Sequence, residues 1–251
     1  MDEKVLKAGL CVIIPTFNNA GTIKRVIEDV AKYCQHLIVV NDGSTDQTST
    51  ILNQLEIPVS VVAYRENRGK GYALVRGFRK ALDMGFTYAI TIDADGQHFA
   101  DDIPLFIDKL QDCPTGIIVG CRNLNEENMP RQNTFANRFS NFWFRLQTGI
   151  DLPDTQSGFR LYSLSSLTGL GWVTSRYEAE LELLVFSAWA GTSIASVNVR
   201  VYYPPEEERV THFRPLYDFF RISVLNTILC IAAIFYGWPR SLIRNLNKKY
   251  K

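Results

Sequence analysis

Four short apolar runs, "LCVIIP" (10–15), "LIVV" (37–40), "VSVVAY" (59–64) and "TYAITI" (87–92), are each followed by small and polar residues. The clusters read "TFNN", "NDGSTD", "ENRGKG" and "DADGQH". Between the runs the apolar spacing turns helical. Ile23, Val26, Ile27 and Val30 share one face of 20–33, and "GKGYALVRGFRKALDMG" (69–85) reads as a helix bounded by glycine. Apolar strands alternating with helices imply right-handed crossovers and a mostly parallel sheet. Ligands of such sheets bind at the carboxyl ends of the strands, where all four polar clusters fall. Ser44 and Gln47, three apart, read as a capping box that opens the helix after the second run.

The series continues with a helix around 101–111 and a strand at "TGIIVG" (115–120). Residues 131–148 look helical and aromatic-rich. "DTQSGFRLY" (154–162) is loop, then strand. Residues 177–190 form a helix, and "SIASVNVRVYY" (193–203) is a strand stopped by Pro204 and Pro205. With no internal repeat and no linker, 1–205 is expected to be one α/β domain and 206–251 an appendage, a division that 251 residues accommodate.

Five cysteines, an odd number with no two spaced by two, argue against a disulfide framework and a zinc cluster and fit a reducing compartment. The start, "MDEKVLKAGL", carries early acids and no long apolar core, unlike a signal peptide. A net charge of +1 provides no global field to recruit nucleic acid. That total conceals an asymmetry. From His212 to Lys251 seven Lys or Arg stand against one Asp, so a basic tail follows an acidic body.

"ITIDADGQH" (90–98) puts two carboxylates one residue apart at the end of the fourth run. In an extended chain Asp93 and Asp95 turn to the same side. Two such charges repel, and one tends to keep its proton unless a cation intervenes. All-oxygen ligands without a Cys or His cluster favour Mg²⁺ or Mn²⁺ over zinc, and such ions fill their shells with water and substrate phosphates. The P-loop pattern is absent, and "GKGYALVRG" is no dinucleotide fingerprint, so a dehydrogenase is not expected.

Together "VIIPTFNNAGTI", "IVVNDGSTDQT", "ENRGKGYALVRGF", "TIDADGQH" and "DTQSGFRLYS" resemble the family 2 glycosyltransferases, inverting enzymes of the GT-A fold. The resemblance covers nearly all of 10–205. Through "DADGQ" and "SGFR" it is similar to the dolichyl-phosphate mannose synthase-like group. It implies that Pro15, Thr16, Phe17 and Asn18 line the base and ribose pocket and that Asp42 accepts hydrogen bonds from the base. Asn67, Gly69 and Lys70 would lie near the nucleotide, with glycine permitting close backbone approach. Asp93 would sit near the ribose and the metal's water shell, Asp95 would ligate the metal, and Gln97 would join it. Asp154, Ser157 and Arg160 match the acceptor-side loop, where Arg160 would grip a phosphate bidentately. His212 and Arg214 in "ERVTHFRP" (208–215) fall where the family has a mobile loop over the donor, although this segment departs from the mannose synthase pattern.

The implied reaction is attack of an acceptor oxygen on the anomeric carbon, opposite the leaving diphosphate, whose charge the metal and nearby cations stabilise. A phosphate acceptor is already ionised near neutral pH, whereas a hydroxyl needs a carboxylate base. "RYEAELELL" offers Glu178, Glu180 and Glu182, some of them expected to be surface acids. Glu178 and Glu182 share a face and Glu180 lies about 160° away. Glu178 is favoured, since it opens the helix beside Arg176.

Residues 222–238, "ISVLNTILCIAAIFYGW", hold no formal charge over 17 positions, the lower limit for a membrane span. Arg214 and Arg221 flank one side; Arg240, Arg244, Lys248 and Lys249 flank the other, with Tyr236 and Trp238 at the border. One span would carry the basic end across the membrane, so an interfacial or re-entrant helix fits better. Ser223, Asn226, Cys230, Ala233 and Gly237 form a small, slightly polar stripe suited to docking on the catalytic domain or on a second copy.

The expected protein is thus a cytoplasmic, peripheral or monotopic membrane enzyme. It moves a sugar from a nucleoside diphosphate sugar to a lipid-linked, polyprenyl-phosphate-like or membrane-proximal acceptor, with Mg²⁺ or Mn²⁺. Transfer to a sugar hydroxyl of a growing glycan, and a nucleotide-sugar-binding subunit without turnover, are the alternatives.

Overall fold

The computed structural model describes residues 9–123, 131–169, 174–203 and 215–249, with 131–135, 215–219, 245 and 247–249 described by their backbone alone. Seven strands form one sheet: β1 (Leu10–Thr16), β2 (Leu37–Asp42), β3 (Ser60–Tyr64), β4 (Tyr88–Thr91), β5 (Ile117–Arg122), β6 (Arg160–Ser163) and β7 (Ile194–Val199), in the order β3-β2-β1-β4-β6-β5-β7. The pairs β1–β2, β1–β4, β2–β3 and β5–β7 are parallel. Only β6 runs antiparallel, to both β4 and β5. That reversal positions the site. Arg160, at the start of β6, lies level with Thr91, at the end of β4, so the loop before β6 arrives where β4 exits.

Alternation along the strands sends apolar side chains to both faces, as expected of a sheet covered on both sides. Cys11, Ile13, Ile38, Val40, Ile117 and Val119 join one core with helices α3 (Lys70–Asp83), α5 (Arg131–Thr148) and α6 (Glu178–Ala190). Val12, Ile14, Leu37, Val39, Ile90 and Ile118 join the other with α1 (Ile23–Ala31), α2 (Thr48–Asn53) and α4 (Ile103–Leu110). Helix α1 buries the four residues that its spacing marks.

Three local expectations are corrected. Ser44 and Gln47 form no capping box. Gln47 is the N-cap without a side-chain bond, Asp46 Oδ1 accepts the Thr48 N–H, and Ser44 Oγ is taken by the Asn18 N–H. Strand β4 ends at Thr91, because Asp95 Oδ1 accepts the Gln97 N–H and closes a turn through Gly96 (φ 75°). The strand expected over 193–203 shortens to β7 plus a bridge between Val201 and His98.

The tail is helical from Pro215 to Lys249: α7 (Pro215–Ala232), a π-helical stretch (Ala233–Gly237) and α8 (Trp238–Lys249). Pro239 has no N–H for the usual i→i−4 bond to Phe235, which accounts for the wider turn just before it. The small stripe faces its own chain. Asn226 is 3% exposed, its Oδ1 and carbonyl both receiving Gln147 Nε2–H of α5, and Gly237 packs on the Trp189 indole of α6. The stripe is therefore packed in cis on the catalytic domain, the first of the two expected docking partners. Leu225, Leu229 and Ala233 complete the inward face, while Phe220, Val224, Ile228, Ile231, Ile234 and Phe235 stand exposed.

Candidate active site

The exits of β1 and β2 are laced together. Asn18 is the only described non-glycine residue at positive φ, 54°. Its Oδ1 accepts the Thr45 N–H at 2.8 Å and its own N–H goes to Ser44 Oγ at 2.9 Å. Pro15 and Thr16 are buried and Phe17 is half-buried. Thr16 Oγ1 receives Asn19 Nδ2–H.

Asp42, at the end of β2, is 3% exposed and accepts the backbone N–H groups of Arg68 and Gly69, both at 2.8 Å. Burial outweighs these bonds and pushes its carboxyl above the ordinary range. In this structure Asp42 fixes the β3–α3 turn. Asn67 is exposed at its edge.

The "GKG" motif serves packing first. Gly69 has φ 96°, and a Cβ there would strike the Ser175 carbonyl; one on Gly71 would strike Ala179. Tyr72 N–H bonds the Ser175 carbonyl at 3.1 Å. The glycines thus bring the start of α3 against the start of α6. What they admit in this structure is 175–179.

That close approach delivers Lys70. Its Nζ lies 2.7 Å from Asp93 Oδ1 and 2.9 Å from Glu180 Oε2. Burial alone would lower the Lys70 pKa, but the Asp93 and Glu180 charges raise it instead. Burial likewise works against an ionised Asp93, yet Lys70 holds that carboxyl below the usual range. Among the described residues Asp95 has no such ion-pair partner. Burial, then the neighbouring Asp93 charge, push it up to about 6. Burial lowers His98 to about 4, so it is neutral at pH 7. Gln97 is half-buried, with its carbonyl on the Tyr202 N–H.

The loop before β6 abuts this cluster. A Cβ on Gly158 would lie 2.5 Å from Asp93 Oδ2 and 2.6 Å from Lys70 Nζ, so a larger residue there would push this pair aside. The loop's charged residues, however, face inward. Arg160 is 0% exposed, and its guanidinium bonds the carbonyls of Ser157, Glu180 and Thr155. It shapes the loop and has no free edge for an acceptor phosphate, contrary to expectation. Asp154 pairs with Arg122 (Nε–Oδ2 2.6 Å) and accepts Asn137 Nδ2–H and the Ser157 N–H. Ser157 is buried, with Oγ on the Phe159 N–H. Arg122, at the end of β5, was missed by motif reading, although the rule that marks strand exits applies equally there.

All three α6 acids are buried, which corrects the surface expectation. Glu178 bonds Arg221 of α7 (Nε–Oε1 3.0 Å), and Glu182 accepts the Thr174 N–H. Arg176 lies against Gly69 and near Asp42. Glu180 is the acid that meets Lys70 and Asp93, and its Oε1 has no hydrogen-bond partner among the described residues. Glu180, rather than the expected Glu178, is thus the α6 carboxylate that the structure brings to Lys70 and Asp93. His212 and Arg214 lie outside the described residues.

A profile of the family described as "Glycosyl transferase family 2" matches residues 11–171. The chain belongs to glycosyl transferase family 2. It is similar, at 31% identity over 213 residues (76% of this chain, 85% of the relative), to a UDP-N-acetylglucosamine–dolichyl-phosphate N-acetylglucosaminyltransferase of Methanococcus voltae. Identity to a polyprenol monophosphomannose synthase of Mycolicibacterium smegmatis is 28% over 160 residues, 60% of each chain. This family 2 glycosyltransferase thus falls in the group of polyprenyl-phosphate sugar synthases. Its fold is GT-A. It superposes on glucosyl-3-phosphoglycerate synthase of Mycobacterium tuberculosis, crystallised with Mn²⁺, UDP-glucose and phosphoglyceric acid. The TM-score is 0.68 at 22% identity, covering 91% of this chain and 80% of that one.

The donor set suits a loosely held divalent cation. Among the described residues no three His, Cys, Asp or Glu side chains form a cage. One uncompensated carboxylate beside a compensated one matches the minimal protein coordination that Mg²⁺ or Mn²⁺ uses when phosphates complete the shell.

Proposed function

We propose that this transferase is metal-dependent and inverting, and that it moves a sugar from a nucleoside diphosphate donor to a polyprenyl-phosphate acceptor at a membrane surface. Residues 1–205 would be the catalytic domain and 206–251 its membrane-facing appendage. The observation that carries the donor reading is the contrast at the β4 exit: Asp93 neutralised by Lys70, Asp95 without an ion-pair partner among the described residues. Mg²⁺ or Mn²⁺ held by Asp95, with Asp93 and Gln97 beside it, would supply positive charge to the departing diphosphate.

The residues of the chain then have these roles. Pro15, Thr16, Phe17, Asn18, Asp42 and Asn67 bound the nucleoside side of the cleft. Lys70, held between Asp93 and Glu180, adds fixed positive charge without needing to reorganise. Arg122, paired with Asp154, adds a cation beside the acceptor loop that Asp154, Ser157 and Arg160 hold in shape. The acceptor phosphate oxygen attacks the anomeric carbon as the bond to the diphosphate breaks, and no base is required. If the acceptor were instead a glycan hydroxyl, the unpartnered Oε1 of Glu180 would be the group able to take its proton.

Two lines support the membrane. The named relatives act on dolichyl or polyprenyl phosphates. The tail is also turned inside out: its outward residues are large and apolar, which favours lipid over water as the surrounding solvent. Phe142 and Leu146 of α5 are exposed too, as are Leu242, Ile243 and Leu246 of α8. Phe220–Arg244 is long and apolar enough to cross a membrane. Basic residues beyond Trp238 complement anionic headgroups.

The decisive assay offers radiolabelled UDP-GlcNAc, UDP-glucose or GDP-mannose with a polyprenyl phosphate in anionic vesicles, with Mn²⁺, Mg²⁺ or EDTA. Label should move to the lipid with one donor, and EDTA should abolish the transfer. Donor binding without transfer to any lipid or glycan acceptor would support a binding subunit and sink the enzymatic reading.

A further inference from the structure

Helix α6 is buried almost throughout and touches both the tail and the donor cluster. At its first turn Glu178, 2% exposed, is matched by Arg221 of α7. One helical turn has not elapsed before Glu180 reaches Lys70 and Asp93. At the far end Arg244 Nη1–H of α8 bonds the Trp189 carbonyl at 3.3 Å, and Gly237 presses on the Trp189 indole. The tail therefore grips both ends of the helix whose first turn holds the site. The backbone is shared as well: the Glu180 carbonyl receives Arg160 Nη1–H, and Ser175 binds Tyr72 of α3.

We propose that α6 couples lipid seating of the tail to donor binding, with Arg221 as a positioning residue that acts through Glu178. The inference rests on the donor and membrane readings above. Two states differ in a definable way. With the tail packed, Glu178 is paired and α6 is fixed. With the tail released, a buried carboxylate loses its cation and must hydrate, which displaces the first turn of α6, Glu180 included. Glu180 lies only about 3 Å further along the helix axis. In water the outward Phe220, Ile228, Ile231 and Phe235 weaken the packed state; a bilayer covers them and favours it. The donor also requires Glu180 and Lys70 in place. Two ligands that favour one state must favour each other.

The test uses full-length protein with and without phosphatidylcholine–phosphatidylglycerol vesicles. UDP affinity is titrated calorimetrically with Mn²⁺, and amide exchange is followed over 174–190. Wild type on vesicles should bind UDP about tenfold more tightly, a typical coupling, with slower exchange in α6. Because Arg221→Ala strands Glu178, the Arg221→Ala/Glu178→Gln double variant is the cleaner probe. It should still bind vesicles yet show neither the affinity gain nor the slowed exchange, and Arg221→Lys should restore part of both. Equal UDP affinity and equal α6 exchange in vesicle-bound and free wild type overturn the coupling, as does a double variant that keeps the full gain. Failure to bind vesicles overturns the membrane reading and this inference with it. Failure to bind UDP in either condition does the same through the donor reading.

Discussion

Two stretches of this chain space their acids alike, and the fold treats them oppositely. At the β4 exit, Asp93 and Asp95 enter one small space, and the second is pushed up to about 6 by burial and by the first. At the start of α6, Glu178, Glu180 and Glu182 diverge around a helix and find three different partners: Arg221, Lys70 and Thr174. Spacing of two on a turn after a strand creates a shared electrostatic problem. The same spacing on a helix creates independent anchors. Lys70 connects the two stretches, since it neutralises one acid of each.

The largest effect should come from removing that connection. Lys70→Met leaves Asp93 and Glu180 facing each other with no cation between them. Breaking a buried pair in this way costs about 3 kcal/mol, slightly discounted here because the Lys70 side chain is 16% exposed. Urea denaturation at pH 7 should register the loss, and part of it should vanish near pH 4 as carboxyls take up protons. A midpoint like that of wild type would mean that the two acids are separately solvated and would break the comparison at its hinge.

Asp95→Asn should act with the opposite sign. A native carboxyl titrating near 6, against an ordinary 3.8, binds more protons than the unfolded chain between those values. Metal-free stability therefore falls as pH rises from about 4 to about 6, and the penalty persists above. Removing the charge should return up to about 3 kcal/mol at pH 8 and little at pH 4. The same variant should lose Mn²⁺-dependent UDP binding. In wild type, Mn²⁺ affinity should drop roughly tenfold per pH unit below 6, where protons compete for Asp95. A variant destabilised at pH 8 would show that Asp95 is a structural acid.

Much of this was legible in the sequence. The parallel half of the sheet follows from apolar runs with polar exits, because a strand buried on both faces leaves little freedom of pattern. The Asp93–Asp95 conflict follows from their spacing. Partners were less legible. Glu178 seemed the site acid because it opens its helix, but the choice among three acids depends on how closely α3 approaches α6. Gly69 and Gly71 set that distance, and glycine has no side chain to announce what it admits. Arg160 sits in a loop motif suggestive of phosphate, yet its guanidinium is fully buried and bonds three backbone carbonyls that carry no sequence signal. The stripe on α7 identified the docking face correctly, while its partner in cis, Gln147, belongs to a helix whose amide has no sequence mark of its own.

The smallest effect should distinguish the two stretches most cleanly. Glu182 accepts the Thr174 N–H through Oε2, and a glutamine oxygen can accept the same bond, so Glu182→Gln should cost within about 1 kcal/mol. A double-mutant cycle then sharpens the contrast. Glu180→Gln and Glu182→Gln should add within about 0.5 kcal/mol, because their side chains leave the helix in different directions and bind different partners. Asp93→Asn and Asp95→Asn should not add: either one alone relieves the repulsion that the other would relieve, so the second change gains less than the first. Equal coupling in both pairs would mean that the α6 acids share one electrostatic site after all, and Lys70 would then be the centre of a single five-carboxylate network in place of a bridge between two.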